Sequence, residues 1–290
     1  MSQKVLITGA AGQLGRELQR SAPADVELIA VTREGLDITD ANQVRALFAT
    51  TFPDLVINAA AYTAVDKAES EPVEAMAVNC DAAANLAKAC AERGARMLHV
   101  STDFVFDGSA SSPYAPDAAT SPLGEYGRSK LAGEQAVSDT LPGALVMRTA
   151  WVYSAFGSNF VKTMLRLMAE RDELSVVADQ VGTPTWARGL AEALWQAAEK
   201  PGLEGIYHWT DAGVCSWYDF AVAIAEEGVE LGLLPRLPRV HPIPGSAYPT
   251  PALRPAYSVL DKQDTWQALQ TEGLHWRVQL RAMLQELKEL

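Results

Sequence analysis

Tyr126 and Lys130 stand four residues apart in the run Tyr126-Gly127-Arg128-Ser129-Lys130. On a helix, that spacing puts a phenol and an ammonium on one face, so both can reach into the same cleft. A free tyrosine titrates at about 10 and is a poor acid–base catalyst at neutral pH. A neighbouring ammonium favours the phenolate, lowers that value and suits the phenol to general acid–base work. Thr102, in Val100-Ser101-Thr102-Asp103, closes a predicted strand and offers a hydroxyl to a substrate carbonyl beside the tyrosine. A third element, Gly9-x-x-Gly12-x-x-Gly15, follows the first apolar run. Small residues there let the backbone approach a pyrophosphate, whose charge meets the amides that open the next helix. Acid–base chemistry beside a dinucleotide is what these three elements could perform.

The elements that must position them alternate. Lys4–Thr8, Val26–Val31, Asp54–Ala59, Arg96–Ser101 and Ala144–Thr149 are short runs rich in Val, Ile and Leu, as parallel strands buried on both faces require. Between them lie helical stretches at Gln13–Ser21, Asp40–Thr50, Glu71–Arg93 and Gly124–Ser138. The third carries Val73, Met76, Ala77, Cys80, Ala84, Ala87 and Cys90, spaced by three or four. Such alternation predicts an α/β fold with a doubly wound, Rossmann-type parallel sheet. The second predicted strand ends in Thr32-Arg33, where an NAD-selective site usually carries an acidic residue for the ribose 2′-hydroxyl. A cation there suits a 2′-phosphate, so NADPH is favoured over NADH.

Beyond residue 150 the texture changes. Helical patterns recur at Ser158–Ala169, Trp186–Glu199, Trp217–Glu227 and Trp276–Leu287. Between the last two, Pro235–Pro255 holds seven prolines in 21 positions, too many for a continuous helix or a central strand. We expect a dinucleotide-binding domain over 1–150, joined by a segment near 186–213, and a smaller α/β substrate domain over most of 151–290.

Composition sets outer limits. The 290 residues are 48% hydrophobic and 21% charged, as in a folded protein with a sizeable core. The net charge of −12 argues against a general binder of nucleic acid or anionic membrane. No run approaches the roughly 18 uninterrupted apolar residues of a membrane span. The N-terminus turns glycine-rich after one short apolar run, which reads as a strand rather than a signal peptide. Cys80, Cys90 and Cys215 form no Cys-x-x-Cys pair, and the four histidines form no zinc-type spacing. A reducing, cytoplasmic setting is the expectation.

The glycine loop, Asn58-Ala59-Ala60-Ala61-Tyr62-Thr63, Ser101-Thr102-Asp103 and Tyr126-x-x-x-Lys130 together resemble an extended short-chain dehydrogenase/reductase. Ser101–Gly108, Arg148–Tyr153, Asn159–Met164 and Ala178–Thr185 sharpen the likeness to the dTDP-4-dehydrorhamnose reductase family, and it runs over essentially the whole chain. The resemblance implies an NADPH- or NADH-dependent reduction of the C4 keto group of a nucleotide sugar, in rhamnose biosynthesis. It also implies roles for particular residues. Gly9, Gly12, Gln13 and Leu14 would meet the pyrophosphate; Thr32-Arg33 departs from members with an acidic residue there, and Arg33 is read from its own charge as facing a 2′-phosphate. Asp37 and Ile38 would lie at the adenine, and Ala61, Tyr62 and Thr63 at the nicotinamide side. Tyr126 would be the acid, while Lys130 would bind the ribose and lower the tyrosine pKa. Thr102, Asp103 and Trp151 would hold the sugar. Apart from the resemblance, a nucleotide diphosphate needs cationic or amide donors, for which Arg254 and Asn159 are the candidates. Some members carry a magnesium ion at a dimer contact. Glu17 and Glu192 are the candidates here, although each reads as an ordinary exposed helix glutamate, and no metal ligand is assigned. The sequence leaves room for a homodimer without showing its contact. Two alternatives are a non-catalytic NADP-binding subunit, similar to the one that regulates methionine adenosyltransferase, and another nucleotide-sugar epimerase or reductase. The first need not keep Thr102, Tyr126 and Lys130 together.

Overall fold

Val5, Leu6, Ile7, Leu55, Val56, Ile57, Leu98 and Val146 are all fully buried. Strands this apolar need cover on both faces. The computed structural model, which describes residues 2–290, builds them into a six-stranded parallel sheet. Its first five strands are β1 (Gln3–Thr8), β2 (Val26–Val31), β3 (Leu55–Asn58), β4 (Arg96–Thr102) and β5 (Leu145–Thr149). The spatial order is β2-β1-β3-β4-β5, and the sixth strand, residues 205–208, lies on the outer edge of β5. The chain thus leaves β1 in one direction and resumes at β3 on its other side. That reversal opens a crevice at the carboxyl ends of the strands, where open α/β sheets bind ligands.

Successive side chains of a strand point to opposite faces, and the two layers divide accordingly. Val5, Ile7, Leu55, Ile57 and Met147 pack against α1 (Gln13–Arg20) and the later helix 187–198. Leu6, Val56 and Met97 pack against α2 (Ala41–Thr51) and the helical region 82–93, joined by Val137. The sheet is therefore doubly wound, as expected for a Rossmann-type fold.

The predicted helix Glu71–Arg93 proves composite. A short α3 (Val65–Ala68) precedes it; then come α4 (Pro72–Met76), one π-helical turn at Ala77–Asp81 and α5 (Ala82–Arg93). The π turn leaves the apolar period legible on either side, which is why periodicity alone read one helix. Tyr126 and Lys130 lie on α6 (Glu125–Thr140).

The remaining chain forms β6 (Val152–Tyr153), α7 (Phe160–Glu170), β7 (Glu173–Val177), β8 (Val181–Gly182), β9 (Thr185–Trp186) and α8 (Ala187–Ala198). After these come the edge strand β10 (Gly205–His208), β11 (Cys215–Ser216), α9 (Trp217–Glu230), β12 (Arg239–Ile243), α10 (Gln263–Leu269) and α11 (Trp276–Glu289). Met164, Met168, Phe220, Ile224, Leu280 and Met283 of α7, α9 and α11 close a second buried cluster over β7. The proline-rich stretch is not a plain loop, because β12 falls inside it and pairs with β7 in parallel. Pro242 is tolerated there because the sheet has only two strands, leaving β12 an unpaired edge.

Candidate active site

Parallel register aligns the strand ends: Thr8 sits opposite Asn58, Asn58 opposite His99, and Thr102 opposite Thr149. Above them opens a cleft of about 960 Å³. On its first side the chain turns through Gly9 into α1. Gly9 has a left-handed φ of 69°, and a Cβ there would lie 2.7 Å from the Ala59 carbonyl oxygen. A Cβ on Gly15 would come within 2.2 Å of the Gly9 carbonyl oxygen, so only glycine lets α1 start this close to the strand. No side chain caps α1, whose N-cap is Gly12. Its first amides therefore face the cleft free to receive an anion. Thr8 donates to Asn58 Oδ1 at 2.6 Å, and Asn58 also accepts from the Ala60 amide, which pins the Ala59–Thr63 wall to the sheet.

Asn79 sits in the π turn and is 1% exposed. Its Oδ1 accepts from the Tyr62 amide at 2.8 Å, while Nδ2 donates to the Tyr62 carbonyl at 3.1 Å and to Ser129 Oγ at 2.9 Å. Ser129 in turn donates to the Tyr126 carbonyl at 2.8 Å. One buried amide thus fixes the Tyr62 wall relative to the helix that carries Tyr126 and Lys130. Sequence reasoning passed over Asn79. The available signal was a polar residue beside the apolar stripe of a long helical pattern.

Lys130 is almost wholly buried, and its ammonium donates to the Val100 carbonyl at 2.7 Å. Burial pulls its pKa down to about 8. Tyr126 packs edge-on against Phe104 at 5.5 Å between centroids. Burial pushes its pKa up to about 12, the nearby Asp103 carboxyl adds to that, and a hydrogen bond with Thr102 opposes it. The lowering of the tyrosine expected from the lysine is not seen; burial sets the direction instead, while the ammonium donates to the Val100 carbonyl. Thr102 donates to Asp103 Oδ1 at 3.1 Å. Burial raises the Asp103 carboxyl to about 6, against the pull of the Ser258 and Thr102 hydroxyls.

Across the cleft, Trp151 holds a left-handed φ of 47° and stacks on Trp217 with centroids 3.5 Å apart. A strained aromatic at a ligand wall is where backbone strain tends to serve function. Trp217, the first residue of α9, has no sequence signal that marks it as part of a site; only folding brings it here.

Residues 3–289 match the family described as RmlD substrate binding domain. A dTDP-4-dehydrorhamnose reductase of Burkholderia thailandensis is 42% identical over 294 residues, covering 98% of this chain and 99% of that protein. The crystal structure of a dTDP-4-dehydrorhamnose reductase from Clostridium acetobutylicum superposes with a TM-score of 0.93 at 40% identity, covering 99% of this chain and 100% of the other. A Bacillus anthracis dTDP-4-dehydrorhamnose reductase, solved in complex with NADP, gives 0.93 at 35% identity over the same shares. The chain belongs to the RmlD substrate binding domain family.

The family's expected site residues all line this one cleft: Gly9, Gly12, Gln13 and Leu14; Arg33, Asp37 and Ile38; Ala61, Tyr62 and Thr63; Thr102, Asp103, Tyr126 and Lys130; Trp151, Asn159 and Arg254. Their donors are not all free. The Arg254 fork pairs with Asp66 on α3 at 3.0 and 2.9 Å. Asn159 caps α7 by accepting from the Lys162 amide, and its Nδ2 donates to Gln13 Oε1 and the Ser154 carbonyl. Arg33 stands exposed at the rim, 3.3 Å from Glu74.

The reading of Glu17 as an exposed helix residue is wrong, since it is fully buried. Ser154 donates to its Oε1 at 3.1 Å and Arg188 to its Oε2 at 2.7 Å. A guanidinium thus already stands against this carboxylate, and both of its oxygens are engaged. The Glu192 carboxyl is pushed up by burial and by the Glu17 charge, against the pull of Arg188, and no group of three metal-binding side chains occurs among the described residues.

Proposed function

We propose that the chain reduces the C4 keto group of dTDP-4-dehydro-β-L-rhamnose with NADPH or NADH, giving dTDP-β-L-rhamnose. One observation carries the reading. The half-buried Tyr126 phenol, beside the Thr102 hydroxyl and one helical turn from Lys130, shares a cleft with an uncapped, glycine-lined helix N-terminus. The reduced dinucleotide, when bound, supplies the hydride. Everything else falls to the chain. The amides of Gln13 and Leu14 receive the pyrophosphate over Gly12, whose own amide closes the turn on the Gly9 carbonyl; Asp37 and Ile38 flank the adenine, and Arg33 at the rim meets a 2′-phosphate. Ala61, Tyr62 and Thr63 line the nicotinamide side, and Lys130 reaches the ribose. Thr102 holds the keto oxygen, with Asp103 and Trp151 placing the sugar. Tyr126 gives its proton to that oxygen as negative charge grows on it, then regains one from water. A pKa pushed up to about 12 leaves the phenol protonated at neutral pH, the state an acid in a reduction needs.

Residues 1–150 with 186–213 are assigned to the dinucleotide side and the remainder to the sugar nucleotide. The edge strand β10 in the main sheet and the separate buried cluster of α7, α9 and α11 support that division. No helix among the described residues is long and apolar enough to cross a membrane. With three unpaired cysteines, this supports a cytoplasmic setting.

The test replaces Tyr126 by Phe. Turnover of dTDP-4-dehydrorhamnose, made in situ from dTDP-glucose by the upstream activities, is followed by loss of reduced-nicotinamide absorbance. kcat should fall about 10²–10⁴-fold while NADPH affinity is retained. Near-normal turnover would remove Tyr126 from the chemistry.

A further inference from the structure

Helix α1 does more than present amides. Gln13, Arg16, Glu17 and Arg20 recur at three- and four-residue spacing along one side, and all four touch the short segment that follows β6. Asn159 donates to Gln13 Oε1 at 2.9 Å, and Ser154 donates to Glu17 at 3.1 Å. The Phe156 ring lies under both Arg16 and Arg20, whose guanidinium carbons are 5.6 and 5.1 Å from its centroid. The same Asn159 caps α7 and ties back to the Ser154 carbonyl at 2.7 Å, so 154–159 is a closed unit rather than a slack link. Trp151 stands three residues before that unit and lines the same cleft.

We infer that this clasp couples the two halves of the cleft. Gln13 and Asn159 act as positioning residues, through which order in the dinucleotide loop sets the placement of the Trp151 wall. The inference rests on the functional reading above. An anion on the α1 amides fixes the backbone of Gln13, the first residue of the helix. Its side chain then meets Asn159 with less freedom left to lose, and 154–159 is ordered before a sugar nucleotide arrives. Linkage makes the effect reciprocal: each ligand tightens the other by the same factor. One neutral side-chain hydrogen bond sets the scale, about two- to tenfold in a dissociation constant.

The experiment measures NADPH binding by titration calorimetry, with and without saturating dTDP-β-L-rhamnose. That pair forms a dead-end complex and does not turn over. In the wild type the sugar nucleotide should tighten NADPH by two- to tenfold. In Gln13→Ala, which keeps the backbone amide for pyrophosphate, the ratio should fall to about one. Asn159→Ser keeps a hydroxyl to cap α7 but cannot reach Gln13, and it should do the same. The double variant should show no further loss of coupling. A ratio of one in the wild type, or a full ratio in Gln13→Ala, overturns the coupling. So does an Asn159→Ser protein that is merely less thermostable, with the ratio intact. If the wild type does not bind dTDP-β-L-rhamnose at all, the functional reading fails and the inference with it. Binding of both ligands independently sinks the inference alone.

Discussion

Asn79→Ala tests whether the buried amide in the π turn holds the active-site walls together. The substitution deletes three hydrogen bonds of 2.8, 3.1 and 2.9 Å from a side chain that is 1% exposed. Each bond contributes about 0.5–1.5 kcal/mol net, and the Tyr62 amide and carbonyl lose the partner that satisfies them, so about 2–4 kcal/mol is expected. For a protein of 290 residues each kcal/mol moves Tm by about 1.5–2 °C, which predicts a fall of about 3–7 °C by differential scanning calorimetry. Turnover should fall more than stability suggests, because Ser129 links the same amide to the Tyr126 carbonyl. A displacement of about 1 Å in a catalytic group can cost on the order of 10²-fold. Ser129→Ala removes only one bond to Asn79 and should show a third to a half of the thermal shift. An Asn79→Ala protein that melts within about 2 °C of the wild type and keeps its kcat would refute the reasoning.

Arg33→Asp places a carboxylate at the exposed rim position and should lower the NADPH:NADH ratio of kcat/KM by about 10–100-fold, the scale of a hydrogen bond to a charged group. An unchanged ratio would make Arg33 a surface residue paired only with Glu74. In Gly182→Ala the new Cβ would sit 2.7 Å from the Trp151 indole and 2.9 Å from Ser258 Oγ, so the indole must move. Such overpacking costs about 1–3 kcal/mol, and sugar-nucleotide KM should rise about tenfold with NADPH KM within about twofold. Asp103 keeps its proton up to about pH 6 when folded, against an ordinary 3.8. The folded state therefore binds more protons between those values, and stability falls as pH rises through about 4 to 6. Asp103→Asn should remove about 2 kcal/mol of stability difference between pH 4 and pH 7 in urea unfolding; parallel behaviour of the two proteins would show the carboxyl to be solvated.

The alternation of strands and helices was legible because a parallel strand buried on both faces is apolar throughout, as Val5–Ile7 and Leu55–Ile57 are. The glycine loop and the Tyr126–Lys130 pair were legible for a related reason. Close approach and a shared helix face are local demands, and local demands leave a fixed spacing. Family motifs extended the reach to Trp151 and Asp103, which have no period of their own. What chain order cannot express is distance between segments far apart in it. Glu17 looks like any helix glutamate until Arg188, 171 residues later, folds against it. Asn159 reads as a free amide until Gln13, 146 residues earlier, accepts from it. The tyrosine pKa failed in the same way. Spacing put Lys130 beside Tyr126, but burial and the Val100 carbonyl decided where the ammonium points and how tightly the phenol holds its proton. Residue type and local period belong to the sequence; desolvation and long-range partners exist only once the chain has closed on itself.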